Sequence, residues 1–210
     1  LDVTDVETAE TLGQNSTTDA TYDTGKTIGT YLKEMGFNVN FAPVADVKTD
    51  AENKLLGDRS FGADAASVAS HVGAMVKGLE ETGVSAGVKA FPGIGSANKD
   101  PEDGLAITER TLAEMQSAEF LGFQAAIAEN ADFIMVSNVT APQLVGGEYI
   151  PSCLSKDIVK GILREQLGYK GIIITSPLNE VAVTDYYTAS EATIMAINAG
   201  ADMILMPASF

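Results

Sequence analysis

Two hydrophobic periods alternate along this chain. Short runs rich in β-branched and aromatic residues recur at 37–43, 84–91, 132–137, 171–175 and 201–206, and two of them are nearly continuous apolar stretches. Such runs predict parallel strands covered on both faces. Between them, apolar positions spaced three and four apart predict helices over 18–35, 64–82, 111–129, 155–167 and 188–199. The helix ends are well marked. Thr111 with Glu114 and Thr188 with Glu191 have capping-box spacing, in which hydroxyl and carboxylate each satisfy an orphan backbone N–H. Gly36, Gly83, Gly168 and Gly200 stand just past helix ends, where a left-handed residue closes the last turn without a Cβ clash.

The alternation predicts an α/β fold, and its loops are lopsided. Helix-to-strand turns are short, whereas the strand-to-helix loops after Pro43 and Phe91 are long. In parallel α/β folds those loops gather at the C-terminal ends of the strands, so candidate chemistry is sought there. A doubly wound sheet is the alternative. No glycine-rich dinucleotide fingerprint follows the first strand, which favours a partial (β/α) barrel of the TIM type with five strands. Residues 1–210 then form a single, incomplete barrel domain, expected to self-associate or to need a further segment to cover its edges.

Composition narrows the partners. A net charge of −16, from 13 Lys plus Arg against 29 Asp plus Glu, disfavours a nucleic-acid partner. No run is long enough to predict a membrane-spanning helix. Cys153 is the single cysteine and His71 the single histidine, so no zinc site is expected and no cofactor is indicated. The sequence starts at Leu1 without a signal-peptide pattern.

Six ordered blocks carry a resemblance: Gly36-Phe-Asn-Val-Asn-Phe-Ala-Pro-Val-Ala-Asp46, Gly57-Asp-Arg-Ser-Phe-Gly62, Lys89-Ala-Phe-Pro-Gly-Ile-Gly95, Ile134-Met-Val-Ser137, Leu163-Arg-Glu-Gln-Leu-Gly168 and Ala199-Gly-Ala-Asp-Met-Ile-Leu-Met-Pro207. Together they resemble the N-terminal barrel domain of glycoside hydrolase family 3, the β-N-acetylhexosaminidase and β-glucosidase family. The resemblance implies the fourth to eighth barrel strands, with three units and the family's Glu-Gly-Gly motif upstream. It further implies hydrolysis of O-glycosyl bonds, a β-linked carbohydrate as partner, and a secreted or extracytoplasmic location.

Carried over position by position, the resemblance also implies losses. The family's nucleophilic Asp lies in a Thr-Asp-x-Leu motif, and this chain reads Thr175-Ser176-Pro177-Leu178. The acid/base His of the hexosaminidase branch falls in Asp-Ser-His, aligned with Asp100-Pro101-Glu102. Ala90 and Ile94 stand where the Lys-His-Phe-Pro-Gly-His motif has histidines, and Asn138 takes the place of a further histidine. Arg59 and Lys89 keep sugar-contacting positions, and Asp46, closing the first strand, is a third candidate for binding. The expectation is therefore a degenerate, at most sugar-binding domain. Two alternatives stay open: an active hydrolase using Glu102 and Glu180 as displaced carboxylates, and a purely structural or interaction domain.

Ordinary structural roles compete with each assignment. Arg59 can pin its own loop by pairing with Asp46 or Asp58, and Asp46 can act as a turn former. The turn 91–96 can cradle an anion through its N–H groups, although two glycines favour a plain turn. His71, mid-helix, reads as a packing residue, and Cys153 as a filler of a small gap.

Overall fold

The structure, a computed structural model, describes residues 5–51 and 53–206. Four strands, β1 (Val39–Asn40), β2 (Ser85–Phe91), β3 (Phe133–Val136) and β4 (Ile172–Thr175), form one sheet. They are all parallel and lie in chain order, each beside its sequence neighbour. Helices fill the crossovers. A strand order without reversal is that of a barrel wall, whereas a doubly wound sheet reverses direction at a switch point.

The first and last predicted strands are shorter than their patterns suggest. β1 keeps only Val39 and Asn40, paired with Ser85 and Ala86, because Pro43 has no N–H to continue the ladder. Pairing resumes beyond it, with Lys89 N–H donating to Pro43 O and Ala45 N–H to Lys89 O. The segment 201–206 retains one parallel bridge, Ile174 to Met203, and two further bonds, from Asp202 N–H to Ile173 O and from Leu178 N–H to Leu205 O. It therefore runs alongside β4 as a fifth, irregular strand. Pro207 lies outside the described residues.

Helix α1 (Ala9–Asn15), which periodicity did not predict, is capped by the Thr8 hydroxyl and buries Leu12. α2 (Thr18–Glu34) and α3 (Ala65–Glu80) match their predicted spans and cross at glycines. A Cβ on Gly78 would stand 2.3 Å from the Tyr22 carbonyl oxygen. The predicted helix 111–129 is broken at Ala118 into α4 (Leu112–Ser117) and α5 (Glu119–Ala128). The break lets Glu119 turn inward and take both Nε and Nη2 of Arg110, at 3.0 and 3.3 Å.

Asp157–Gln166 is a wider, π-type helix, closed by Leu167 N–H on Ile162 O. α6 (Val181–Thr184) and α7 (Ala189–Ala199) complete the series. Both predicted capping boxes form. All four predicted terminal glycines have positive φ, between 72° and 110°. Between β2 and α5 the core is aromatic: Phe91 stacks on Phe120 and meets Phe123 edge-on, with centroids 5.5 and 5.1 Å apart.

Candidate active site

The long loops meet at the C-terminal ends of the strands around a cleft of about 330 Å³. Each strand end delivers something to it. Lys89 comes from β2, Ser137 and Asn138 follow β3, and Ser176 follows β4. Arg59 reaches in from the first loop, Asp100 and Glu102 from the second, and Glu180 from the N-terminus of α6. Of the residues singled out from sequence, only Asp46 among the binding and catalytic candidates is missing from the lining.

Asp46 lies behind the wall instead. It is fully buried, and its two carboxylate oxygens accept N–H bonds from Ala90 at 2.9 Å and Ile94 at 2.6 Å. Nearby, a Cβ on Gly95 would fall 1.8 Å from the Val47 carbonyl, so the 91–96 turn can pack this closely only with glycine. The sequence favoured a plain turn here; the structure has one N–H of the turn, on Ile94, donating to the protein's own Asp46 carboxylate, joined by the Ala90 N–H of β2. Burial lifts the Asp46 pKa to about 6 despite those two bonds.

One wall of the cleft is cationic. Arg59 donates to the carbonyl of Leu55 at 2.6 Å, and no described carboxylate forms an ion pair with it. The ammonium of Lys89 has no hydrogen-bond partner among the described residues, and burial with the nearby Arg59 charge lowers its pKa. Both donors therefore point at space that a ligand could fill.

A second group of lining residues is anionic. Glu180 accepts a 2.7 Å bond from Asn138 Nδ2, which also donates to Pro177 O at 2.9 Å. Asn138 is aimed in turn by the buried Cys153, whose thiol donates to Oδ1 at 2.9 Å. Burial, with the charges of Glu102 and Asp100 added, lifts Glu180 to about 7. Asp100 accepts the backbone N–H of Glu102 and so fixes the turn that carries it. The Cys153–Asn138–Glu180 chain was not legible in the sequence, because its members come from three separate loops.

On the floor, Ser176 is 7 % exposed. Its backbone N–H is spent on Val136 O at 2.7 Å, while its hydroxyl has no partner among the described residues. His71 is remote on α3, bonded to Thr21 at 2.7 Å and stacked on Phe61, so it has the packing role expected of it. Phe41, Leu55 and Leu205 add apolar surface that the sequence did not single out. The arrangement offers polar contacts from two sides to a small hydroxylated ligand, together with one carboxyl able to hold or release a proton near neutrality. Among the described residues no group of His, Cys, Asp and Glu is arranged to hold a metal, and no helix is long and apolar enough to cross a membrane.

Comparison with known proteins agrees with this geometry. The chain is 32% identical over 190 residues to beta-hexosaminidase A of Pseudoalteromonas piscicida, covering 86% of this chain and 32% of the relative. It is 32% identical over 203 residues to beta-hexosaminidase LpqI of Mycobacterium tuberculosis, covering 94% of this chain and 51% of the relative. The chain thus spans about a third to a half of these relatives. A glycoside hydrolase family 3 beta-N-acetylglucosaminidase from Paenibacillus sp. superimposes with a TM-score of 0.94 at 34% identity, over 98% of this chain and 39% of that one. The family model described as the glycosyl hydrolase family 3 N terminal domain matches residues 2–210. From its strand order, its loop-built cleft and these matches, the chain belongs to the N-terminal barrel domain of glycosyl hydrolase family 3.

Proposed function

We propose that this chain binds a β-linked saccharide, of the N-acetylhexosaminide or glucoside class, without hydrolysing it. The observation that carries the reading is the unpartnered Ser176 hydroxyl on the cleft floor, where the family resemblance implies an attacking carboxylate. Retaining hydrolysis needs an anion there to trap the glycosyl centre and an acid to protonate the leaving oxygen. A serine hydroxyl attacks only when a base removes its proton, and the one histidine of the chain is committed to Thr21. Binding needs neither. Arg59 and Lys89 can donate to sugar hydroxyls, and Asp100, Glu102 and Glu180 can accept from them.

The test pairs calorimetry with turnover, using the full-length protein. The reading expects heat on adding N-acetylglucosamine or glucose oligosaccharides and no aglycone release from the matching aryl β-glycosides. It is overturned if the aglycone is released steadily or if no saccharide binds.

One observation favours a second reading, a working hydrolase. Burial lifts the Glu180 pKa to about 7, so it can keep a proton to give near neutrality, and it shares the cleft with a second carboxyl, Glu102. Glu102→Gln and Glu180→Gln each abolishing aglycone release would establish it. Turnover insensitive to both substitutions would remove it.

A further inference from the structure

We propose that the saccharide taken by this cleft carries a free, protonated amine, as a glucosamine-type unit does, and that the ammonium sits between Glu180, Glu102 and the Ser176 hydroxyl. This deepens the sugar-binding reading and rests on it. The two sets of charged lining residues differ in what they ask of a ligand. Arg59 and Lys89 are met by any sugar hydroxyl, because hydroxyl oxygens accept. Three carboxyl groups also line the cleft; once ionised they accept and cannot donate, and nothing among the described residues pairs with Glu102 or Glu180 as a cation.

A neutral acetamido group presents one N–H to them. An ammonium presents three, together with a full positive charge. Ser176 is a second and independent sign of a ligand at this place: a side chain more than nine-tenths buried, lining the cleft, with an oxygen that no described group satisfies. An attacking aspartate would need an oxocarbenium carbon beside it, whereas a serine is suited to accept one N–H and donate to a ring or hydroxyl oxygen.

Glu180 supplies the sensing. It is held by Asn138, itself fixed by Cys153, and is faced by Asp100 and Glu102 from the loop after β2. Arg59 and Lys89 line the same cleft. Without a cation, burial and the like charges hold the Glu180 proton on until about pH 7. A bound ammonium reverses that balance and expels the proton, so at mildly acidic pH, where the free amine already carries its proton, binding releases a proton that an N-acetylated ligand does not.

The experiment is calorimetry of the full-length protein at about pH 6, where the free amine carries its charge and Glu180 still holds its proton, with β-linked glucosamine disaccharide, its N-acetylated counterpart and cellobiose, in two buffers of different ionisation enthalpy. The inference expects the amine form to bind about tenfold tighter or more, as a charge-assisted set of bonds would give, with a buffer-dependent heat for that ligand alone. Glu180→Gln, close in size and shape, is expected to cut the preference below about threefold, by weakening the amine ligand more than the N-acetylated one. Equal affinity for amine and acetamide in the unsubstituted protein overturns this inference and leaves the sugar-binding reading standing. No heat with any of the three saccharides overturns the reading beneath it as well.

Discussion

Two backbone N–H groups converge on the Asp46 carboxylate, and the first of them, on Ala90, directly follows Lys89, so a side chain outside the cleft positions one inside it. Replacing Asp46 by Asn keeps the shape but turns an amide NH2 toward a backbone donor. The expected loss is about 1–3 kcal/mol in urea unfolding, the cost of a buried donor left without an acceptor. The pH dependence follows from the raised pKa. A carboxyl at about 6 in the folded chain and 3.8 when free binds its proton more tightly when folded. Its contribution is therefore full below pH 3.8 and is lost as pH rises through 6, so the difference in stability between the unsubstituted chain and Asp46→Asn is expected to shrink over that window. At the cleft floor, Ser176→Asp supplies the missing anion. Aryl β-N-acetylglucosaminide turnover by the full-length variant is expected to exceed that of the unsubstituted protein by roughly a hundredfold or more, and equal rates would show that the serine is not what blocks catalysis.

At the scale of elements, much was written locally and some was not. Caps and terminal glycines were legible because each is decided within four residues: Thr111 with Glu114, Thr188 with Glu191, and the left-handed Gly200. The break at Ala118 was not, since it serves a contact between Glu119 and Arg110 that periodicity does not encode. The fifth strand faded for a similar reason. Its apolar run 201–206 is real, yet only one bridge to β4 forms among the described residues. The site shows the same division. Ser176, Glu102, Asp100, Arg59 and Lys89 were singled out by motif and Glu180 by its place four residues past Ser176, and all six line the cleft, while the Asn138–Cys153 link and the placement of Asp46 behind the wall depended on how loops meet in space. Gly78 gives an element-scale test. Ala improves helix propensity by up to about 1 kcal/mol, but its Cβ would fall 2.3 Å from the Tyr22 carbonyl, a backbone atom. Overpacking costs about 1–3 kcal/mol, so Gly78→Ala is expected to lower the urea midpoint, and a raised midpoint would show that α2 and α3 can part freely.

Over the whole molecule, several large apolar side chains face solvent. Ile194 and Ile197 project from the outer face of α7 at 59 % and 56 % exposure, while the same helix buries Ala192, Ala196 and Ala199. Phe37 leads into β1, and Met203 and Met206 lie on the strand-like segment beyond β4, so each end of the sheet carries exposed apolar side chains. Surfaces of this kind are normally covered by further chain or by a partner. The 210-residue chain on its own is expected to sediment as a dimer or larger species, and a sharp monomer boundary at micromolar concentration would speak against that. Its charge of −16 leaves the acidic wall of the cleft within a negative field, which favours a cationic over an anionic saccharide. All of this depends on what happens at residue 176. The most direct measurement follows an aryl β-N-acetylglucosaminide with the full-length protein, by calorimetry and by aglycone release in the same sample. The account predicts saturable heat with release no faster than in buffer. Steady release that disappears in Glu180→Gln would contradict it and identify an operating hydrolase.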